Sequence, residues 1–197
     1  AVIDMGLIRP KLFKLNNPTN VHVNRHDPAL DRESALINRR IPASKEFIAI
    51  NHINELIYSP TNKEIGIVAV GKATTETIDA FDTIGIKSPE EKGIGIYSCK
   101  VPWPLINQEI IEFCRGYKEI IVIEEKAGIV EQQIAHILFN EKKRPLLSGK
   151  LDAISNEPLI PKTSELSSDI IDDCLIKKLS PELTENDIPK VKSLSLG

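Results

Sequence analysis

Glu64-Ile65-Gly66-Ile67-Val68-Ala69-Val70-Gly71-Lys72-Ala73-Thr74-Thr75 joins a short β-branched apolar run to a glycine turn and the start of a helical pattern. The same order returns twice. Gly93-Ile94-Gly95-Ile96-Tyr97-Ser98-Cys99-Lys100 leads to a helical segment near Asn107, and Ile120-Ile121-Val122-Ile123-Glu124-Glu125-Lys126 leads to one near Gly128. Three strand-then-helix units in succession predict a parallel sheet covered by helices on its faces. Function then turns on what the strand ends carry, and composition does not say.

Outward from that stretch, 197 residues suffice for one domain with a full core and appended segments. The 41% hydrophobic and 27% charged content is that of an ordinary globular protein. A net charge of −3 without a long basic stretch speaks against a nucleic-acid partner. Lys142-Lys143-Arg144 is either a phosphate patch or a solvated loop after a helix. No run reaches the length of a membrane span, and no charged-then-apolar leader opens the chain, so a cytoplasmic protein without a membrane partner is expected. The first residue is Ala1 and the single Met is Met5, which points to a piece of a longer polypeptide. Cys99, Cys114 and Cys174 form no C-x-x-C pair, so no metal site is expected within this chain; buried reduced thiols account for them.

Residues 1–26, with Pro10, Pro18 and a basic bias, read as an extended arm or linker. Asp27-Pro28 reads as an N-cap with proline at the first helical position, and Pro42 should stop that helix after Arg40. Ser44 then caps a second helix to about Ile53, before a short strand Glu55–Ser59. Strands Glu64–Val70, Gly93–Lys100 and Glu119–Glu125 alternate with helices from Thr75, from Asn107 as N-cap, and from Gly128 to Asn140. Leu146–Leu151 gives a short last strand and Ser168–Leu179 a last helix, so the domain spans 27–179. Residues 180–197 form a polar tail.

Gly93-Ile94-Gly95 lies before and within a strand. A dinucleotide fingerprint needs its glycines after the strand, so that reading is rejected. Gly71-Lys72-Ala73-Thr74-Thr75 is better placed: the amides of Thr74 and Thr75 with Lys72 either bind phosphate or carboxylate, or form a tight turn with a surface lysine. Glu124 and Glu125 are adjacent on a strand and point to opposite faces, so they do not act as an acid–base pair. One faces a helix N-terminus or an adjoining domain while the other is solvated. Trp103, between Pro102 and Pro104, is either a plug over the sheet end or an interface anchor. No Ser/His/Asp or Cys/His set has a recognisable spacing, so no catalytic residue is assigned.

Gly71-Lys72-Ala73, then Cys99-Lys100-Val101-Pro102-Trp103-Pro104-Leu105, then Ile123-Glu124-Glu125-Lys126 form a spaced set. It resembles the transketolase C-terminal-like domain, and more closely that of the indolepyruvate-type 2-oxoacid:ferredoxin oxidoreductases. Arg25 to Leu30, Asn51 to Pro60, Gly149-Lys150 and Glu165-Leu166 extend the likeness. The resemblance implies a three-layer α/β/α fold with a mixed, mostly parallel five-stranded sheet and one antiparallel edge strand, Glu55–Ser59.

The parent enzymes, by this resemblance, oxidatively decarboxylate 2-oxo acids to acyl-coenzyme A with thiamine diphosphate, Mg and 4Fe-4S clusters, and reduce ferredoxin. This chain has neither the G-D-G…N diphosphate signature nor a cysteine cluster, so no cofactor is expected within it. The implied role is a non-catalytic domain that packs on the thiamine-binding domains of the same enzyme, in a dimer or larger assembly. Gly71, Lys72, Thr74, Thr75, Lys100, Trp103, Glu124 and Glu125 are the candidate anion or interface contacts. The alternatives are a free-standing phosphate- or nucleotide-binding module using the Gly71–Thr75 turn, and the corresponding domain of a sugar transketolase or 2-oxoacid dehydrogenase.

Overall fold

Strands β2 (Ile65–Val70), β3 (Ile94–Cys99) and β4 (Glu119–Ile123) are buried along nearly their whole lengths. Continuous apolar runs of this kind belong to parallel strands covered on both faces. The computed structural model describes residues 10–11 and 25–179, and most of the arm and all of the 180–197 tail anticipated above lie outside them. Within them, β1 (Glu55–Tyr58) and β5 (Leu146–Ser148) complete a five-stranded sheet of order β1-β3-β2-β4-β5. All neighbours are parallel except β1, which pairs antiparallel with β3 from Glu55 opposite Ser98, with an irregularity between Leu56 and Tyr58. The mixed sheet with its antiparallel edge is the one expected.

Alternation along the strands divides the core. Ile67, Ala69, Ile96, Ile121 and Ile123 face one layer, with α3 (Ala73–Thr83) and α6 (Ser168–Leu179). Val68, Tyr97, Ile120 and Val122 face the other, with α4 (Asn107–Cys114) and α5 (Ile129–Leu138). The glycines of Gly93-Ile94-Gly95 have structural work. Gly93 closes a 3-10 turn, Glu90–Lys92, at φ +77°, while a Cβ on Gly95 would collide with the Tyr117 hydroxyl. Gly66, beside it on β2, likewise leaves room for the Ile120 and Tyr117 side chains.

The amino-terminal edge of the sheet carries a charge cluster that local patterns do not show. The Lys178 ammonium of α6 reaches Glu119 at 2.5 Å and Asp152 at 2.6 Å, and Ser148 donates to the same Glu119 carboxylate. Asp152 also receives the Ile154 and Ser155 amides at 2.9 and 2.8 Å. The Lys178 hydrogen bond and those amides hold its carboxyl well below the usual range.

The helical preface departs from expectation. The chain runs without a break through α1 (Ala29–Ala35), a π-helical turn (Leu36–Arg40) and α2 (Ile41–Ile50), and Pro42 lies inside α2. A proline lacks its N–H and crowds the carbonyl four residues back; the wider π turn relieves that crowding, so the helix continues. Ser44 is therefore not a cap, and its hydroxyl donates to the Ile41 carbonyl at 2.7 Å. Pro28 occupies the capping position of α1 in place of Asp27, so the helix starts one residue later than predicted. Asn107 is the first residue of α4 instead of its cap, and its side chain accepts from Lys45 at 3.0 Å. Helix α3 starts two residues before Thr75, straight after Gly71 turns the chain at φ +58°. No helix among the described residues is long and apolar enough to cross a membrane.

Candidate functional site

The carboxyl ends of β3, β2, β4 and β5 stand in that order along one edge of the sheet, which brings every candidate residue to a single side of the fold. At β2, the Gly71 amide donates to Cys99 O at 3.0 Å, and the Thr74 and Thr75 amides close back on Gly71 O and Lys72 O at 3.2 and 3.1 Å. The Thr74 hydroxyl points inward, to Ala69 O and Ser98 Oγ. Lys72 lies between Glu165 at 3.0 Å and Glu76 at 3.4 Å. Those hydrogen bonds, Glu165 foremost, raise its pKa. Amides engaged within the turn and a lysine held by two acids leave this corner poor in donors for an anion.

At β3, the Lys100 ammonium pairs with Glu55 at 2.8 Å, while its amide and that of Val101 both donate to Asn54 Oδ1, at 2.9 and 3.1 Å. The loop then passes through a cis Trp103–Pro104 bond. Gln133 of α5 clamps it: Nε2 donates to Pro102 O at 2.8 Å and Oε1 accepts the Leu105 amide at 3.2 Å. Leu105 is inserted into the core, yet Trp103 stays 55% exposed. Its ring borders a groove of about 550 Å³ with Ile41, Pro104, Ile129, Gln133 and Ile137. Trp103 is thus not a plug over the sheet.

At β4, Glu124 is buried, and its two oxygens accept the Val130 and Glu131 amides at 2.9 Å each. A carboxylate set against the first turn of α5 satisfies orphan donors and the positive helix end together. Glu125 is exposed and lies 3.6 Å from Lys126. At β5, buried Lys150 donates to Glu124 O and Pro161 O, and burial pushes its pKa down. The Lys150 amide donates to Glu131 Oε2 at 2.9 Å, in space kept open by Gly149.

Asn54, Gln133 and Lys150 thus position the strand-end loops; Asn54 and Lys150 lie in stretches of the family likeness, and Gln133 in none. His136 is exposed on α5, as its place off the apolar stripe predicts. Among the described residues no three His, Cys, Asp or Glu side chains converge to hold a metal, and Cys99, Cys114 and Cys174 are buried singly.

A family model for the indolepyruvate oxidoreductase domain matches residues 56–194. Two curated relatives, the indolepyruvate oxidoreductase subunits IorA of Methanothermobacter marburgensis and Methanothermobacter thermautotrophicus, are each 24% identical over 121 residues. That alignment covers 61% of this chain and 18% of either relative. Among solved structures, a 2-oxoglutarate:ferredoxin oxidoreductase from Magnetococcus marinus aligns over 77% of this chain and 24% of its own, at 14% identity and a TM-score of 0.46. A split-gene transketolase in an inactive beta4 tetramer aligns over 63% and 40%, at 14% identity and a TM-score of 0.43. With the family model covering well over half of its length, the chain belongs to the indolepyruvate oxidoreductase domain family.

Proposed function

We propose that this chain is the non-catalytic docking domain of a cytoplasmic, thiamine-diphosphate-dependent 2-oxoacid:ferredoxin oxidoreductase. Its strand-end loops pack on the thiamine-binding domains of the enzyme, in a dimer or larger assembly. The whole enzyme oxidatively decarboxylates 2-oxo acids of the indolepyruvate kind to acyl-coenzyme A and passes the electrons to ferredoxin. The observation that carries this reading is Trp103, a large aromatic left 55% exposed on a loop that Gln133 clamps beside a groove of mixed apolar and polar lining. Rigid exposed aromatics lose little entropy on contact and anchor interfaces.

Around it the polar strand-end groups are occupied within the chain: Lys72 by Glu165, Lys100 by Glu55, Glu124 by the α5 amides. The described residues do not fit a magnesium ion or a 4Fe-4S cluster. The reading therefore assigns thiamine diphosphate, its metal, the clusters and coenzyme A to other segments of the enzyme.

The test is co-purification with the remaining domains of the oxidoreductase. Trp103→Asp should abolish complex formation while Trp103→Phe retains it, and wild-type recovery of Trp103→Asp would overturn the reading. Titrating thiamine diphosphate with Mg into the isolated chain should give no heat, whereas tight stoichiometric binding would remove its basis.

A further inference from the structure

The apolar arc of α5 is wider than its core needs. Val130, Ile134 and Leu138 are buried against the sheet, and Ile137 packs at their edge. Ile129 lies beyond that edge and is 55% exposed. With Gln133, His136 and Ile137 it lines one wall of the groove beside Trp103, at positions i, i+4, i+7 and i+8 of one helix face.

Helix α2 forms the other wall with Ile41 and Lys45, one turn apart, and Pro104 with the core-inserted Leu105 forms the base. Two helices flanking an apolar base make a seat for the side-chain ridge of a third helix. An added strand needs a row of open backbone N–H and C=O groups, and helical walls keep theirs engaged within each helix.

Charge narrows the occupant further. The ionisable groups lining the groove are Lys45 and His136, with no Asp or Glu among them. The Lys45 ammonium donates to the neutral Asn107 Oδ1 at 3.0 Å, and no carboxylate pairs with it among the described residues. Beside an apolar base the effective dielectric is lower than in water. An incoming carboxylate therefore gains more there, and an incoming cation is repelled more strongly.

Building on the docking role assigned to Trp103, we propose that this groove receives an amphipathic helix of the thiamine-binding domains. Its apolar ridge lies over Leu105 between Ile41 and Ile129, and an Asp or Glu on its flank pairs with Lys45. Trp103 supplies burial to the contact, while Lys45 rejects any helix that brings a lysine or arginine to the same place.

The test uses the complex with the remaining domains of the oxidoreductase. With p-benzoylphenylalanine in place of Gln132 or of His136, crosslinks mapped by mass spectrometry should fall in one partner segment, spaced three or four residues apart and flanked by Asp or Glu. Crosslinks to an extended segment of alternating pattern, or to a second copy of this chain, overturn the proposal. Lys45→Glu should weaken assembly about tenfold at low salt and Lys45→Met less, with both differences shrinking at about 0.5 M salt. Wild-type affinity in Lys45→Glu overturns the proposal; the docking reading then stands if Trp103→Asp still abolishes assembly, and falls with it if Trp103→Asp also assembles normally. Should Lys45→Glu fail to fold, Lys45→Met and the crosslinks decide.

Discussion

Glu124 accepts the Val130 amide at 2.9 Å, six residues ahead of it in the chain, so the first side chain after β4 caps the helix that follows. Glu124→Ala should lower stability by about 1–2 kcal/mol, since two buried N–H groups lose their acceptor. For a chain of this size that is a fall of about 4 °C in Tm, read by circular dichroism. Glu125→Gln, next to it and exposed, should stay within about 0.5 kcal/mol of wild type.

Lys178 supplies the positive charge that Glu119 and Asp152 share. Lys178→Met should cost about 3 kcal/mol near neutral pH, because two largely buried carboxylates lose their cation. Asp152 has a depressed folded-state pKa, so its contribution is present above the unfolded value and fades as pH falls through the folded one. Urea denaturation from pH 7 downward should therefore show the gap between wild type and variant narrowing below the ordinary carboxylate range. A gap independent of pH would assign the loss to packing.

Gly95→Ala should destabilise by about 2 kcal/mol or more, because its methyl enters space held by the Tyr117 ring. Adding Tyr117→Phe removes the hydroxyl that collides first. The double variant should recover part of the loss, with a coupling of about 1 kcal/mol in a cycle of chemical denaturations.

Burial pushes the thiols of Cys99, Cys114 and Cys174 up to about 12 each. Thiolate is the reactive form, so none should react with an aromatic disulfide reagent at pH 8 while the chain is folded. All three should react once it is unfolded in guanidinium, and rapid labelling of the native chain would contradict the described burial.

Trp103 is the single tryptophan, so intrinsic fluorescence reports on the docking loop alone. The isolated chain should emit at long wavelength and be readily quenched by iodide. Assembly with the thiamine-binding domains should shift emission to the blue and protect it.

The sheet was legible because three apolar runs with glycine stops leave few other arrangements. Glu124 and Glu125 do face apart, but β4 ends at Ile123, two residues short of the expected strand, so the turn and not the pleat separates them. What escaped notice are contacts made across the chain. Lys72 meets Glu165 93 residues later, and Asn54 holds a loop 46 residues on; no periodicity marks such partners. Pro42 misled because its rule assumes α-helical pitch, which the preceding π turn abandons. Trp103, 55% exposed, does not plug the sheet end, and a loop between two prolines gives no periodicity from which that exposure could be read.

The two faces of the sheet also differ in when they can be completed. The core around Val68, Tyr97 and Val122 draws on residues up to Leu138, with Leu147 at its margin. The core around Ile67, Ile96 and Ile121 waits for Ile171, Cys174 and Leu175 of α6. During synthesis, when domains fold from the N-terminal side as the chain emerges, one layer can close while the other stays open to solvent. For the time the ribosome takes to deliver α6, the nascent chain presents a half-clothed sheet, and that interval is when it most needs a chaperone.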